Sequence, residues 1–488
     1  MKPIHLLYLP LCFLFISCFG EDRRDEYADR IGQNEWIEET MRKNYYWYED
    51  IPESSALNYY IADPATFFNS LLSTQDGKSG HKYSYLEDFR PKPPVEQTRS
   101  ISNPKDSYGF DFQIATIKNK TNYYAVVIYV VPNSPASQAG LQRGDWILQV
   151  DDKDILKDNY SNLLSGTGAK FKMGIYDVES QTVMPTGENI QISASRAIED
   201  NPVHYDNVYD TSKGKVGYLV YNHFTSAKDE SNKNDHTYDD ELRQLSLKFK
   251  SSNIKEFILD LRYNPGGLLP TANLLSTILA PESAIGKELC TIKYNDIHDP
   301  LKETINMNAN LLTGGANLNL SRLYVLTSAS TASASELVAY CLAPYMEVIT
   351  IGEKTEGKNV GSLPYEDKRY PDIILRPIVC QLFNSEDKSE YGQGITPTHL
   401  LSMSTPENMK SFLPFGDKNE LLLAKALSLI EGGGEEEGGE EEGGEEEGGE
   451  EGQQRALKTG NGISSFIYSS IDRKAMPGVI LGSPQTIQ

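Results

Sequence analysis

Apolar positions recur with a different period in successive stretches of the chain, and each period predicts a different kind of element. From Asp25 to about Leu72 the residues Trp36, Ile37, Met41, Tyr45, Trp47 and Tyr48 fall at helical spacing, with breaks at Pro52 and near Pro64. This predicts a helical subdomain over residues 25–100 whose aromatic stripe packs on a larger body rather than caging a ligand. From about Ser102 to Ser195 short runs alternate with turn signals, as in Tyr108-Gly109-Phe110-Asp111-Phe112 and Tyr123 to Val131, which predicts a β-rich unit over 102–197. Beyond it, Val216 to Tyr221, Ile254 to Leu261, Leu323 to Thr327 and Val348 to Gly352 are continuous apolar runs of the kind buried on both faces of a sheet. Helical stretches after Leu268 and Ser333 alternate with them, so residues 198–430 read as an α/β core, and the whole chain as a multi-domain α/β protein.

Within the β-rich unit, Ser134 to Asp152 reads SPASQAGLQRGDWILQVDD. Pro135 suits the first position of a short helix, where its missing N–H is no loss, and Gly140 suits a left-handed end. Gly144-Asp145 then turns into a strand from Trp146 to Val150. This run resembles the most recognisable stretch of PDZ domains. The resemblance implies a peptide-binding site at Gly109 and Phe110, where a loop ending in Gly and an apolar residue grips a C-terminal carboxylate and the peptide adds as a strand.

The chain has 488 residues, 39% of them hydrophobic and 10% aromatic, enough for two or three folded units. Twelve of the glutamates behind its net charge of −23 lie between Glu431 and Gly452, so the remainder carries −11. That Glu/Gly tract, residues 431–455, reads as a solvated linker, and the tail over 456–488 is too short for a domain. No basic patch offers itself to nucleic acid, and no apolar run beyond the N-terminus is long enough to cross a bilayer. Residues 1–18 read as an export signal: Lys2, an apolar stretch from Ile4 to Ile16, then Ser17-Cys18. A small residue before Cys resembles a bacterial lipobox, which implies lipidation at Cys18 and an exported, membrane-anchored protein facing the periplasm or the cell surface. Cys290, Cys341 and Cys380 sit in apolar neighbourhoods without pairing or zinc spacing and read as buried thiols.

Two segments carry candidate chemistry. Thr331-Ala332-Ser333-Ala334-Ser335-Glu336-Leu337 follows a strand and opens a helix, where unpaired N–H groups favour a developing oxyanion. Ser333 there reads as a nucleophile or simply as an N-cap. Thr355-Glu356-Gly357-Lys358 follows the next strand, so the two loops can meet across 25 residues of sequence. Lys358 reads either as an exposed loop lysine or as a general base made neutral by burial.

Ser333-Ala334-Ser335-Glu336 and Thr355-Glu356-Gly357-Lys358 resemble, in motif and spacing, the C-terminal processing peptidases, also called tail-specific proteases. Asp260-Leu261-Arg262-Tyr263-Asn264-Pro265-Gly266-Gly267 is similar to that family's strand-to-loop motif, and Val216 to Leu219 and Gly392 to Pro397 to its flanking motifs, with Thr398 where Asp is usual. The N-terminal aromatic helix also resembles lipoprotein members from Bacteroidetes. The resemblance spans about residues 105 to 430 and implies a ClpP/crotonase-like peptidase core with a Ser333/Lys358 dyad. It further implies an oxyanion hole from the amides of Gly266 or Gly267 and Ala334, polypeptide substrates taken by their C-termini, and no metal or organic cofactor. Ser362 stands where the family often has a Gln that orients the lysine, and that departure keeps open a catalytically inactive peptide- or ligand-binding lipoprotein on the same scaffold.

Overall fold

The computed structural model describes residues 21–57, 62–78, 81–89, 106–117, 121–229, 232, 234–298, 302–405, 407–432, 463–471, 479–481 and 485–486. The stretch read as an export signal, with Cys18, and the Glu/Gly tract beyond Gly432 lie outside them.

The α/β core is a six-stranded sheet in the order 399–400, 347–352, 322–327, 254–260, 214–221, 203–211. All neighbours are parallel except the last pair. Helices Thr237–Ser251, Leu269–Leu279 and Ala334–Leu342 connect consecutive parallel strands and cover the sheet. Residues 257–260 and 323–327 are therefore buried on both faces, which is why the sequence shows unbroken apolar runs there. Helix Thr237–Ser251 buries Tyr238, Leu242, Leu245 and Phe249, with Asp239 and Asp240 in its first turn and Lys248 and Lys250 in its last, each sign favourable to the helix dipole. Three successive parallel strands thus release their following loops at one carboxyl edge of the sheet, the place where α/β sheets hold their ligands.

The β-rich unit is a second sheet in the order 463–469, 110–117, 123–130, 146–150, 169–177, 182–192. As the sequence indicates, Ser134 caps the short helix Pro135–Gln138, accepting from Ser137 N at 3.1 Å, and Gly140 has φ +86°. Phe110, Phe112, Ile147 and Phe171 form its core. The N-terminal helix runs from Glu21 to Asn44, and its Trp36, Ile37 and Met41 join the hydrophobic cluster of Leu259, Leu274 and Val338. Its aromatic stripe is thus a packing surface. Trp47 and Tyr48, expected on the same helix, lie past its end in a turn and a short 3-10 segment.

Two smaller sheets complete the fold, in the orders 302–306, 288–294, 378–384, 360–362, 479–480 and 85–88, 373–376, 365–366, 485–486. Cys290, Cys341 and Cys380 are buried free thiols. Among the described residues no helix is long and apolar enough to cross a membrane.

The two large units meet on buried charge. Arg262 is 1% exposed, with Nε 2.9 Å from Asp260 Oδ1 and Nη2 2.8 Å from Asp260 Oδ2 and 2.9 Å from Glu420 Oε2. Arg143 of the β-rich unit reaches the same Glu420 at 3.5 Å and donates to Leu413 O at 2.9 Å. Its guanidinium also lies 4.9 Å from the ring centres of both Phe412 and Phe415. Glu420→Ala leaves Arg262 and Arg143 short of a buried counter-charge, so denaturant unfolding should show a loss of about 3–5 kcal/mol. A loss below ~1 kcal/mol contradicts this account of the junction.

Candidate active site

The three loops at the carboxyl edge are stitched to one another. Thr331 Oγ1 donates to Leu261 O at 2.9 Å, Ser335 Oγ to Asn264 O at 3.0 Å, and Glu356 N to Thr331 O at 3.0 Å. This brings together the Asp260–Gly267, Thr331–Leu337 and Thr355–Lys358 segments singled out in the sequence.

Glu336 ties the last two of these segments together at one point. Its Oε1 accepts from Thr355 Oγ1 at 2.5 Å and Gly357 N at 2.7 Å, and its Oε2 accepts from Ser333 N and Lys358 N, each at 2.8 Å. One oxygen therefore holds the amides of Ser333 and Lys358 within two hydrogen-bond lengths of each other. The carboxylate is fully buried, and desolvation raises its pKa against the pull of these four bonds.

Ser333 precedes helix Ala334–Leu342 with φ 60° and ψ −115°, a conformation that a non-glycine residue adopts only under strain. Its pairing with Glu336 has the layout of a capping box. Only the bond from the Ser333 amide closes, however, and the buried Ser333 Oγ has no hydrogen-bond partner among the described residues. An ordinary N-cap serine spends its hydroxyl on the helix. This one does not.

The double glycine lies against Ser333. A Cβ on Gly266 would fall 2.7 Å from Ser333 Cβ and 3.0 Å from Oγ, and one on Gly267 would fall 2.1 Å from Phe224 O. The Gly266 amide, expected to face an oxyanion, is instead taken by Asn264 Oδ1 at 2.9 Å in an Asx turn. Among the described residues the amides of Gly267 and Ala334 make no hydrogen bond.

Lys358 is only 4% exposed, and desolvation brings its pKa down to about 7 against the opposing pull of Glu356, Glu336 and Asp76. The exposed-loop alternative is thereby removed. The N-terminal subdomain supplies the cover, since Nζ lies 4.8 Å from the centre of the Tyr83 ring. Tyr83 OH donates to Glu356 Oε1 at 3.2 Å, and Asp76 Oδ1 accepts from the amides of Tyr83 at 2.8 Å and Ser84 at 3.0 Å. Tyr45 OH donates to Asp76 Oδ2 at 2.8 Å. Ser362 is buried in the strand Val360–Ser362 that follows Lys358.

Gly109 immediately precedes, and Phe110 opens, the strand Phe110–Ile117. Phe110 is 2% exposed, with its ring centre 5.9 Å from that of Phe112 and 5.8 Å from that of Phe171, so its side chain belongs to the core. Two amides of that loop are engaged internally, Tyr108 N with Leu164 O at 2.8 Å and Gly109 N with Ser107 Oγ at 3.0 Å.

Sequence reasoning missed the part played by Glu336, Asn264 and Tyr83. The Ser-x-x-Glu spacing of a capping box could have drawn attention to Glu336. Nothing near Tyr83 in the sequence ties it to a lysine 275 positions later.

Comparison with known proteins accords with this geometry. The model of peptidase family S41 matches residues 215–400, that of the S41 N-terminal domain residues 32–85, and that of the PDZ domain residues 126–175. A solved structure from Bacteroides fragilis, described as an S41 protease, is 36% identical, superposes with a TM-score of 0.71, and is matched over 82% of this chain and 98% of its own. A CtpA-like serine protease of Staphylococcus aureus is 27% identical over 313 residues, 64% of this chain and 56% of the relative. A carboxyl-terminal-processing protease of a Picosynechococcus species is 28% identical over 310 residues, 62% of this chain and 66% of the relative. The match therefore spans little more than half the length of the staphylococcal relatives. Fold and site define a PDZ-containing α/β protein of the peptidase type. The chain belongs to peptidase family S41.

Two measurements test the environment of Lys358. By NMR of labelled lysine its amine should titrate near pH 7, and Tyr83→Ala, by admitting water, should move that value up toward the ordinary 10.5. An unchanged titration contradicts the role of the ring as cover. A lysine with a depressed folded pKa makes the unfolded state bind more protons between about pH 7 and 10.5, so stability climbs with pH across that window. Lys358→Met should remove that climb in denaturant midpoints, and an identical slope in both proteins contradicts the assignment.

Proposed function

We propose that this protein is a serine endopeptidase acting on polypeptides through an acyl-enzyme on Ser333, with Lys358 as general base. The observation that carries the reading is a buried lysine brought to about pKa 7 whose amide shares one Glu336 oxygen with that of a strained serine. The neutral Lys358 amine takes the proton from Ser333 Oγ as that oxygen attacks the scissile carbonyl, and returns it to the departing amine. Water then attacks the ester as the same lysine accepts its proton, and the acyl–Oγ bond breaks with that proton passing to Ser333 Oγ, which releases the carboxylate product and restores the neutral amine. The amides of Gly267 and Ala334 receive the oxyanion, the second at the positive end of a helix. Ser362 orients the Lys358 amine from the next strand. The PDZ-like unit presents the polypeptide, in the simplest case by its C-terminus, and Cys18 carries a lipid that anchors the exported protein at a membrane.

The test is cleavage of an unstructured polypeptide ending in apolar residues by the chain lacking residues 1–20. Ser333→Ala and Lys358→Ala should each lower kcat/KM by about 10⁴-fold or more while melting cooperatively. Below pH 7 kcat/KM should fall about tenfold per unit as the amine protonates. Parental activity in Lys358→Ala, or a rate independent of pH between 5 and 8, overturns the mechanism. Failure of the parent to cleave any polypeptide would favour the non-catalytic, ligand-binding alternative.

A further inference from the structure

The strand Phe110–Ile117 pairs with Tyr123–Val130 on one side and on the other with the chain's own tail, the antiparallel strand Ile463–Ser469. The register sets Gln113 opposite Ser469, Ile114 opposite Tyr468, Ala115 opposite Phe466 and Ile117 opposite Ile463. The later residues of the tail therefore point toward Gly109 and Phe110. This is the edge and the direction that a peptide added to the PDZ-like sheet would use.

The tail is fitted there by its side chains as well as its backbone. The Tyr468 ring centre lies 4.7 Å from that of Tyr160 and 6.1 Å from that of Phe112, and Phe466 lies 6.5 Å from Trp146. Ile463 and Ile471 are 3% and 1% exposed. The fully buried Ser470 Oγ accepts from Phe112 N at 2.9 Å and donates to Asp111 Oδ1 at 2.5 Å. An internal segment thus satisfies the start of the strand without offering a terminal carboxylate.

Two further pieces of the tail do the same at other sheets. Val479–Ile480 pairs in parallel with Gly361–Ser362, just past Lys358, and Leu481 N donates to Ser362 O at 3.3 Å. Gln485–Thr486 pairs in parallel with Tyr365–Glu366. All three pieces occupy the terminal position of their sheets. An uncovered edge is a template for any extended chain, so each piece stands where a polypeptide could add.

We infer that the Phe110–Ile117 edge takes extended internal segments of polypeptide and that its resident occupant is this chain's own residues 463–471, which polypeptide substrates must displace. The inference leans on the peptidase reading only in naming the incoming polypeptide a substrate. Covalent attachment favours the tail over any free peptide, because a tethered segment acts at an effective concentration of order millimolar.

The test uses the chain from residue 21 with Ser333→Ala, to prevent turnover, and a fluorescent peptide of sequence ISSFIYSSI as probe. Gln113→Cys with Ser469→Cys places thiols on directly opposed residues, whose Cα separation of about 5 Å suits a disulfide. The native thiols at 290, 341 and 380 are buried. Under oxidant the pair should cross-link and probe binding should vanish, returning on reduction. Ile463→Asp with Tyr468→Asp, which releases the tail within the full chain, should tighten probe binding at least tenfold. Equal binding by oxidised and reduced forms overturns the inference. So does a cooperatively melting chain that never cross-links, or a released variant that binds no tighter than the parent. Cleavage is measured separately with Ser333 restored. The expected binding pattern without cleavage in any form would sink the peptidase reading and leave this inference standing.

Discussion

The carboxylate of Glu336 is the constraint on which the rest of the site depends. Four donors from two segments converge on it, among them the amides of Ser333 and Lys358 on a single oxygen. A buried carboxylate left without donors is costly, so this loop arrangement is enforced by solvation physics rather than by fit alone. Because Glu336 lies on the first turn of the helix that Ser333 opens, its position also fixes the strained backbone of that serine. The order of parallel strands brings the loops to one edge, and the carboxylate fastens the Thr355–Lys358 loop to the helix start at Ser333.

Much of this was legible along the chain. The apolar runs over Ile254 to Leu261 and Leu323 to Thr327 locate strands because burial on both faces leaves no room for polar residues. Ser134-Pro135 and Gly140 locate a helix because each satisfies a local backbone rule. Ser333 and Lys358 stand out through motif and spacing. What escaped depends on distant partners. The fate of the Gly266 amide turns on a rotamer of Asn264, and the ring over Lys358 comes from a segment about 275 positions earlier. Strands of two or three residues, such as Val360–Ser362, Val479–Ile480 and Gln485–Thr486, exist only because an edge awaits them and carry no period of their own.

The N-terminal subdomain has two tasks. Trp36, Ile37 and Met41 contribute to the main hydrophobic cluster, while Tyr83 and the Asp76 that holds it close over the lysine. Packing and chemistry are thereby joined in one unit, since the water it excludes for stability is also the water that would keep Lys358 charged. Stability and pKa are set here by the same contact.

The junction at Arg143 bears on how such proteins can be recombined. Its guanidinium shares Glu420 with Arg262, which sits two residues from Asn264 and the glycine turn beside Ser333. A PDZ-like module grafted from a relative would leave that acid half-neutralised unless it carried a cation to the same point. Modules in this architecture are therefore interchangeable only together with their electrostatic socket, and chimaeras that respect sequence boundaries alone would inherit a fault at the seam.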